Sequence, residues 1–156
     1  MKIILRCGGI LRSSPERELV DDYLKRANGL VQSCGFHSVS EEQVELKKCK
    51  SRAEETEKIT SDRSSSYQYI ILDERGKSLT SRQIAKTLTR LKDDGISETI
   101  FVIGGADGFE PAKLPKNVMK LSFGSQVWPH KLVRIMIAEQ VYRALSIMAG
   151  SPYHRD

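Results

Sequence analysis

YQYIILD at residues 67–73, TSRQIAKTLTRLKDDG at 80–95 and TIFVIGG at 99–105 are the three consecutive stretches that decide the fold. The first and third are β-branched and aromatic runs without polar alternation, the pattern of strands buried on both faces. Between them, Ile84, Leu88 and Leu91 recur at helical spacing. Thr80 and Gln83 form a capping-box pair, and Gly95 stands just past the expected end of the helix. A strand, a helix and a second strand in this order predict parallel strands joined by a helical crossover, with the first run central in the sheet.

Working outward, KIILR at 2–6 is a short strand, and Ser14-Pro15 supplies an N-cap and first-turn proline for a helix reaching Asn28, stopped at Gly29. A further strand is expected around Val44. The charged segment at 50–63 reads as an exposed helix held by opposite charges three and four residues apart. A third core strand lies at 118–123. The last helix runs from Pro129 to about Gly150, with apolar residues around nearly its whole circumference. A helix of that kind must be covered on more than one side, and in a chain of 156 residues the second cover is another subunit. The expected architecture is a single α/β domain over 1–156, a mostly parallel sheet with helices on both faces.

Composition sets the outer limits. With 39% hydrophobic and 29% charged residues, the chain is an ordinary globular protein. It has no apolar run long enough to span a bilayer and no signal-peptide pattern at its start, so a cytoplasmic location is expected. Cys7, Cys34 and Cys49 are odd in number and lack C-x-x-C spacing, which argues against a disulfide framework or a zinc site. A net charge of +5 favours a polyanionic partner.

In an open α/β sheet, ligands bind beyond the carboxyl ends of the strands. Three loops there stand out, at 73–77, 104–108 and 124–128, two of them glycine-bearing at their first residue. GGADG at 104–108 matches neither G-x-G-x-x-G nor a phosphate-binding P-loop, so nicotinamide and nucleoside-triphosphate readings lose weight. No catalytic triad or metal-ligand spacing emerges. His37 reads as a surface residue and His130 as part of a helix's first turn, whereas His154 lies in a tail, SPYHRD, that a core does not need.

Four blocks go further than this. LDERGK (72–77), FVIGGADGF (101–109), WPHKLVRIMIAEQVYRA (128–144) and GSPYHR (150–155) together closely resemble the RlmH family, SPOUT-class methyltransferases that modify a pseudouridine of large-subunit (23S) ribosomal RNA. The resemblance covers nearly the whole chain, with departures from the family pattern at Ser151, Gln126-Val127 and Ile10. It implies a C-terminal part threaded as a trefoil knot and a homodimer. It implies S-adenosylmethionine as cofactor, touching Leu72, Gly104, Phe123, Gly124, Ser125, Gln126, Val127 and Trp128, and no metal. Catalytic roles would fall to Tyr153, His154 and Arg155 on the partner's tail, and Arg134 and Arg143 would hold phosphates or the partner. The implied reaction is methylation of N3 of pseudouridine in ribosomal RNA within the assembled ribosome. From the residues alone, another ribosomal or transfer RNA site, or a catalytically silent RNA-binding dimer, stays open.

Overall fold

The computed structural model describes every residue except Asp62, Ser64 and Asp156. Five parallel strands form one sheet in the order β2-β1-β4-β3-β5. In chain order the elements are β1 (Lys2–Gly8), α1 (Pro15–Asn28), β2 (Ser38–Val44), α2 (Arg52–Ile59), β3 (Tyr67–Ser78), α3 (Ser81–Asp93), β4 (Glu98–Ile103), a 3₁₀ turn (Pro111–Lys113), β5 (Met119–Ser122) and α4 (His130–Met148). The expected fold class holds, and the run at 67–73 lies inside the sheet between β4 and β5.

Local chemistry accounts for the helix ends. The Ser14 hydroxyl accepts from the amide of Arg17 at 3.3 Å, with Pro15 in the first turn and Glu16 and Glu18 favourably placed toward the positive end of the helix dipole. The Thr80 hydroxyl accepts from the Gln83 amide at 3.2 Å, while Gln83 Oε1 accepts from the Thr80 amide at 2.8 Å, closing the capping box.

The two faces of the sheet are covered unequally. Helices α1, α3 and α4 bury Val20, Leu88, Ile137, Val141 and Leu145 against Ile3, Leu5 and Phe101 on one face. On the other, Ile59 of α2 joins the buried cluster of Ile4, Tyr69, Ile71, Ile100 and Val102, with Phe109 and Leu114 packed against it. Helix α4 packs against α1 and α3, yet Leu132 keeps 42% of its surface exposed, and Ile135, Met136 and Tyr142 are only half-buried.

Three expectations need correction. The first buried strand does not end at Asp73: β3 continues to Ser78 through a register shift, so that Leu121 of β5 lies beside both Leu72 and Lys77. Gly76 permits this, because a Cβ there would sit 2.7 Å from backbone atoms of Lys120 and Leu121. The strand expected around Val44 is the whole of β2, a polar edge strand whose Glu41 and Glu42 are neutralised by arginines. The charged helix is shorter than expected, Arg52–Ile59, and Asp62 of that segment lies outside the described residues. No helix among the described residues is long and apolar enough to cross a membrane.

Candidate functional site

At the carboxyl rim of the sheet, residues 72–75 at the register shift of β3 and the segments after β4 and β5 enclose a cavity of about 370 Å³. Its walls are apolar at Ile103, Leu121 and Val133, and charged at Asp73, Glu74, Asp107 and Arg52. This size and mixture suit a small organic ligand.

The rim owes its shape to short-range constraints. Gly108, in a left-handed conformation (φ +70°), donates from its amide to the Gly105 carbonyl at 3.1 Å and closes a tight turn. Gly104 leaves the floor open, since a Cβ there would lie 3.0 Å from the Phe109 ring. After β5, Gly124 adopts φ +108°, and the Ser122 hydroxyl both accepts from its amide at 3.1 Å and donates to its carbonyl at 2.8 Å. Asp73 is oriented by the amide of Arg75 at 2.9 Å and by Lys120 at 3.4 Å. Ser122 carries no sequence signal of this role, which depends on the turn that follows it.

Of the residues expected at the cofactor, Leu72, Gly104, Phe123, Gly124, Gln126, Val127 and Trp128 line this cavity, whereas Ser125 is exposed in the same loop without lining it. Val127 is 85% exposed, so the mouth has an uncovered apolar lip. His130, read from sequence as a structural first-turn residue, also lines the cavity.

Tyr153, His154 and Arg155 are not brought to the cavity of their own chain. They follow the far end of α4, whose 19 residues span about 27 Å at helical rise. The tail folds back on that end. Tyr153 stacks on Tyr142 with centroids 4.5 Å apart, lies under the Arg143 guanidinium at 4.7 Å, and donates from its hydroxyl to Glu139 at 3.1 Å. Arg143 in turn reaches Glu139 at 2.8 Å and His154 Nδ1 at 3.4 Å. Burial, and then hydrogen bonding to Tyr23 and Glu139, pushes the Tyr153 phenol up from its ordinary value, so it stays a proton donor at neutral pH. Arg155 is exposed.

Arg134 does not face solvent as a phosphate contact would. It is 4% exposed, and its Nη2 donates to the carbonyls of Gly8 at 3.2 Å and Gly9 at 3.0 Å. Its Nη1 lies 3.3 Å from both Gln43 and Glu41, and Glu41 is also paired with Arg17. A helix residue expected from sequence to hold phosphates or the partner is instead an internal tie between α4 and the ends of β1 and β2. Among the described residues, no group of three or more His, Cys, Asp or Glu side chains could hold a metal ion.

Residues 1–154 match the family model described as a predicted SPOUT methyltransferase. The chain is 44% identical over its full 156 residues to ribosomal RNA large subunit methyltransferase H of Maricaulis maris, covering all of that protein. It is 46% identical to the protein of the same name from Phenylobacterium zucineum, again over the whole of both chains. With the counterpart from Dinoroseobacter shibae the identity is 43% over 99% of each. An all-parallel α/β sheet with a ligand-sized cavity at its carboxyl rim, a full-length family match and relatives of equal length lead to one conclusion: the chain is a member of the SPOUT methyltransferase family, in its RlmH branch.

Proposed function

We propose that this chain, acting as a single domain over residues 1–156, transfers a methyl group from S-adenosylmethionine to N3 of a pseudouridine in large-subunit (23S) ribosomal RNA within the assembled ribosome. The observation that carries the proposal is the rim cavity, built by the same blocks that resemble the family and bounded by residues of three adjacent strand ends. The full-length relatives are named for the large ribosomal subunit. The enzyme works in the cytoplasm.

The cavity fits the donor on the chemistry of its walls. Leu72, Ile103, Leu121 and Phe123 offer apolar surface for a nucleoside and a thioether, the glycine turns expose main-chain groups, and Asp107 supplies negative charge for a cationic ligand, Asp73 and Glu74 being paired with Lys120 and Arg75. When bound, the donor supplies an activated methyl group on a sulfonium. What is left to the protein is to hold the acceptor in line, exclude water and favour loss of the acceptor's N–H proton.

The tail is assigned those tasks on the neighbouring subunit of a homodimer. None of its residues lines its own cavity, and the apolar outer face of α4, with Leu132 and Met136, supplies the surface on which a second copy would pack. An antiparallel pairing of two α4 helices sets each tail over the mate's rim. There the exposed Arg155 guanidinium stabilises the ring anion, His154 is oriented through Arg143, and Tyr153, whose hydroxyl proton is committed to Glu139, anchors the tail. The chain path is proposed to be a trefoil knot, a reading supported by Leu121 lying beside both Leu72 and Lys77, with the intervening residues looping past β5.

Mass spectrometry of ribosomal RNA from a strain lacking the gene tests the assignment. The expected result is the loss of one methyl group from one large-subunit pseudouridine, restored by the purified protein with S-adenosylmethionine. An unchanged modification profile would sink the proposal.

A further inference from the structure

Beyond Gly105 and Ala106, the two residues it shares with the donor cavity, lies a second recess of about 330 Å³. Its floor is the main chain of Gly8 and Gly9 where β1 ends, and Arg12, Glu45 and Lys47 line it together with Glu55 of α2. The shared boundary is thin because Gly105 has no side chain; a Cβ there would lie 2.3 Å from the Glu55 carboxylate.

The recess is held in shape before any ligand arrives. Gly9 has φ +84° and donates from its amide to Val44 at 2.8 Å, and the Leu11 amide donates to Gln43 Oε1 at 2.5 Å. Arg134 completes the clamp from behind through the Gly8 and Gly9 carbonyls. In the first turns of the same helix, His130 and Val133 line the donor cavity. One helix end therefore fixes both chambers relative to each other.

Charge indicates the class of occupant. Arg12 and Lys47 are exposed, and neither has an ion-pair partner among the described residues, whereas Arg52, Lys113 and Lys120 are each matched by a carboxylate. Glu45 lines the same recess and its carboxylate accepts from the Lys47 amide at 2.9 Å, so this rim carries two cations and one carboxylate, a net positive charge that attracts a polyanion. The inner wall is different: the half-buried Glu55 carboxylate has no partner among the described residues and would repel a bare phosphate. An occupant with phosphates outward and hydrogen-bond donors inward, such as a nucleotide within an RNA strand, satisfies both walls.

We propose that this recess seats the acceptor nucleotide of the RNA. Arg12 and Lys47 take its flanking phosphates, Glu55 accepts a hydrogen bond from a sugar hydroxyl or base N–H, and Arg134 is the positioning residue that holds the floor. The assignment rests on the reading of the substrate as RNA and extends it to a location.

The test compares wild type with the double variant Arg12→Glu/Lys47→Glu, both exposed loop positions. Donor affinity measured by calorimetry should stay within about twofold. With assembled ribosomes as substrate, KM should rise at least about tenfold, and the slope of log KM against log salt should fall by about 1.4, from two lost contacts at about 0.7 each on a single strand. Fluorescence anisotropy with a single-stranded RNA oligonucleotide should show the same loss of affinity and of salt slope, independently of turnover. Arg134→Lys should raise KM for assembled ribosomes with donor affinity retained; a lower melting temperature with unchanged KM would mark it as merely structural. Wild-type activity with unchanged KM, RNA affinity and salt slope in the double variant overturns the recess as the acceptor seat. A wild type inactive on assembled ribosomes refutes the substrate assignment instead, and the anisotropy comparison then still decides whether the recess binds RNA.

Discussion

Arg134 and Gly9 are 125 positions apart, and the guanidinium of the first donates to the carbonyl of the second at 3.0 Å within a nearly solvent-free pocket. The same side chain faces Glu41, which is shared with Arg17. Removing one partner of a buried ion cluster leaves the others desolvated and unmatched. Arg134→Met should therefore lower stability by about 3 kcal/mol, the lower end of the usual range because Glu41 keeps Arg17. Urea denaturation measures this, and a loss below about 1 kcal/mol would mean the cluster contributes little.

Gly76 and Gly105 make a matched pair of tests. At Gly76 a new Cβ would lie 2.7 Å from backbone atoms of β5, which cannot rotate away; at Gly105 it meets the end of the Glu55 side chain, which can. Gly76→Ala should cost about 2 kcal/mol through overpacking, and Gly105→Ala much less. Thermal melts of the two variants should rank in that order. The reverse order would mean that β3 does not pass β5 as closely as described.

The difficulty of reading these features from sequence has physical causes. The core strands at 67–73 and 98–103 announce themselves because both faces are buried, which demands uninterrupted apolar residues, and the capping box at Thr80 acts within four residues. The extent of β2 hides because an edge strand can afford SVSEEQV when Arg6, Arg17 and Arg63 neutralise its carboxylates from elsewhere in the chain. The continuation of β3 past Asp73 hides for a similar reason: DERGK looks like a turn until Gly76 is set against Leu121. Most of the cavity lining was legible because it follows strand ends, and Ser125 was not excluded because orientation within a loop has no sequence signature. An arginine inside a helix gives no sign of burial, so Arg134 reads as a surface cation until its partners converge.

The cysteines supply a pH test. Burial pushes the Cys7 thiol up from 9.0 to about 12. Its folded value is raised, so the associated stability is fully present below about pH 9 and is lost as pH rises toward 12. Stability measured between pH 9 and 11 should fall less steeply in Cys7→Ala than in wild type, whatever the variant's absolute stability. In the native protein at pH 8, a thiol reagent should label half-buried Cys49 first and leave buried Cys7 and Cys34 untouched until unfolding. Rapid labelling of all three would contradict the packing around β1.

The proposed dimer has a consequence that no monomeric enzyme could imitate. Arg155→Ala removes the exposed tail cation but leaves the cavity intact, and Gly104→Leu fills the cavity floor against Phe109 but leaves the tail intact. Each homodimer should be nearly inactive. If tail and cavity come from different subunits, a mixed dimer has one chamber in which an unaltered cavity meets an unaltered tail. Random reassortment of equal amounts should thus recover about a quarter of wild-type activity, since half of the dimers are mixed and each has one working site of two. If tail and cavity act within one chain, mixing restores nothing, because every chain carries one lesion in its own site. Leu132→Arg, a charge placed on the exposed apolar face of α4, should abolish recovery by separating the subunits, which light scattering would register as a halved mass.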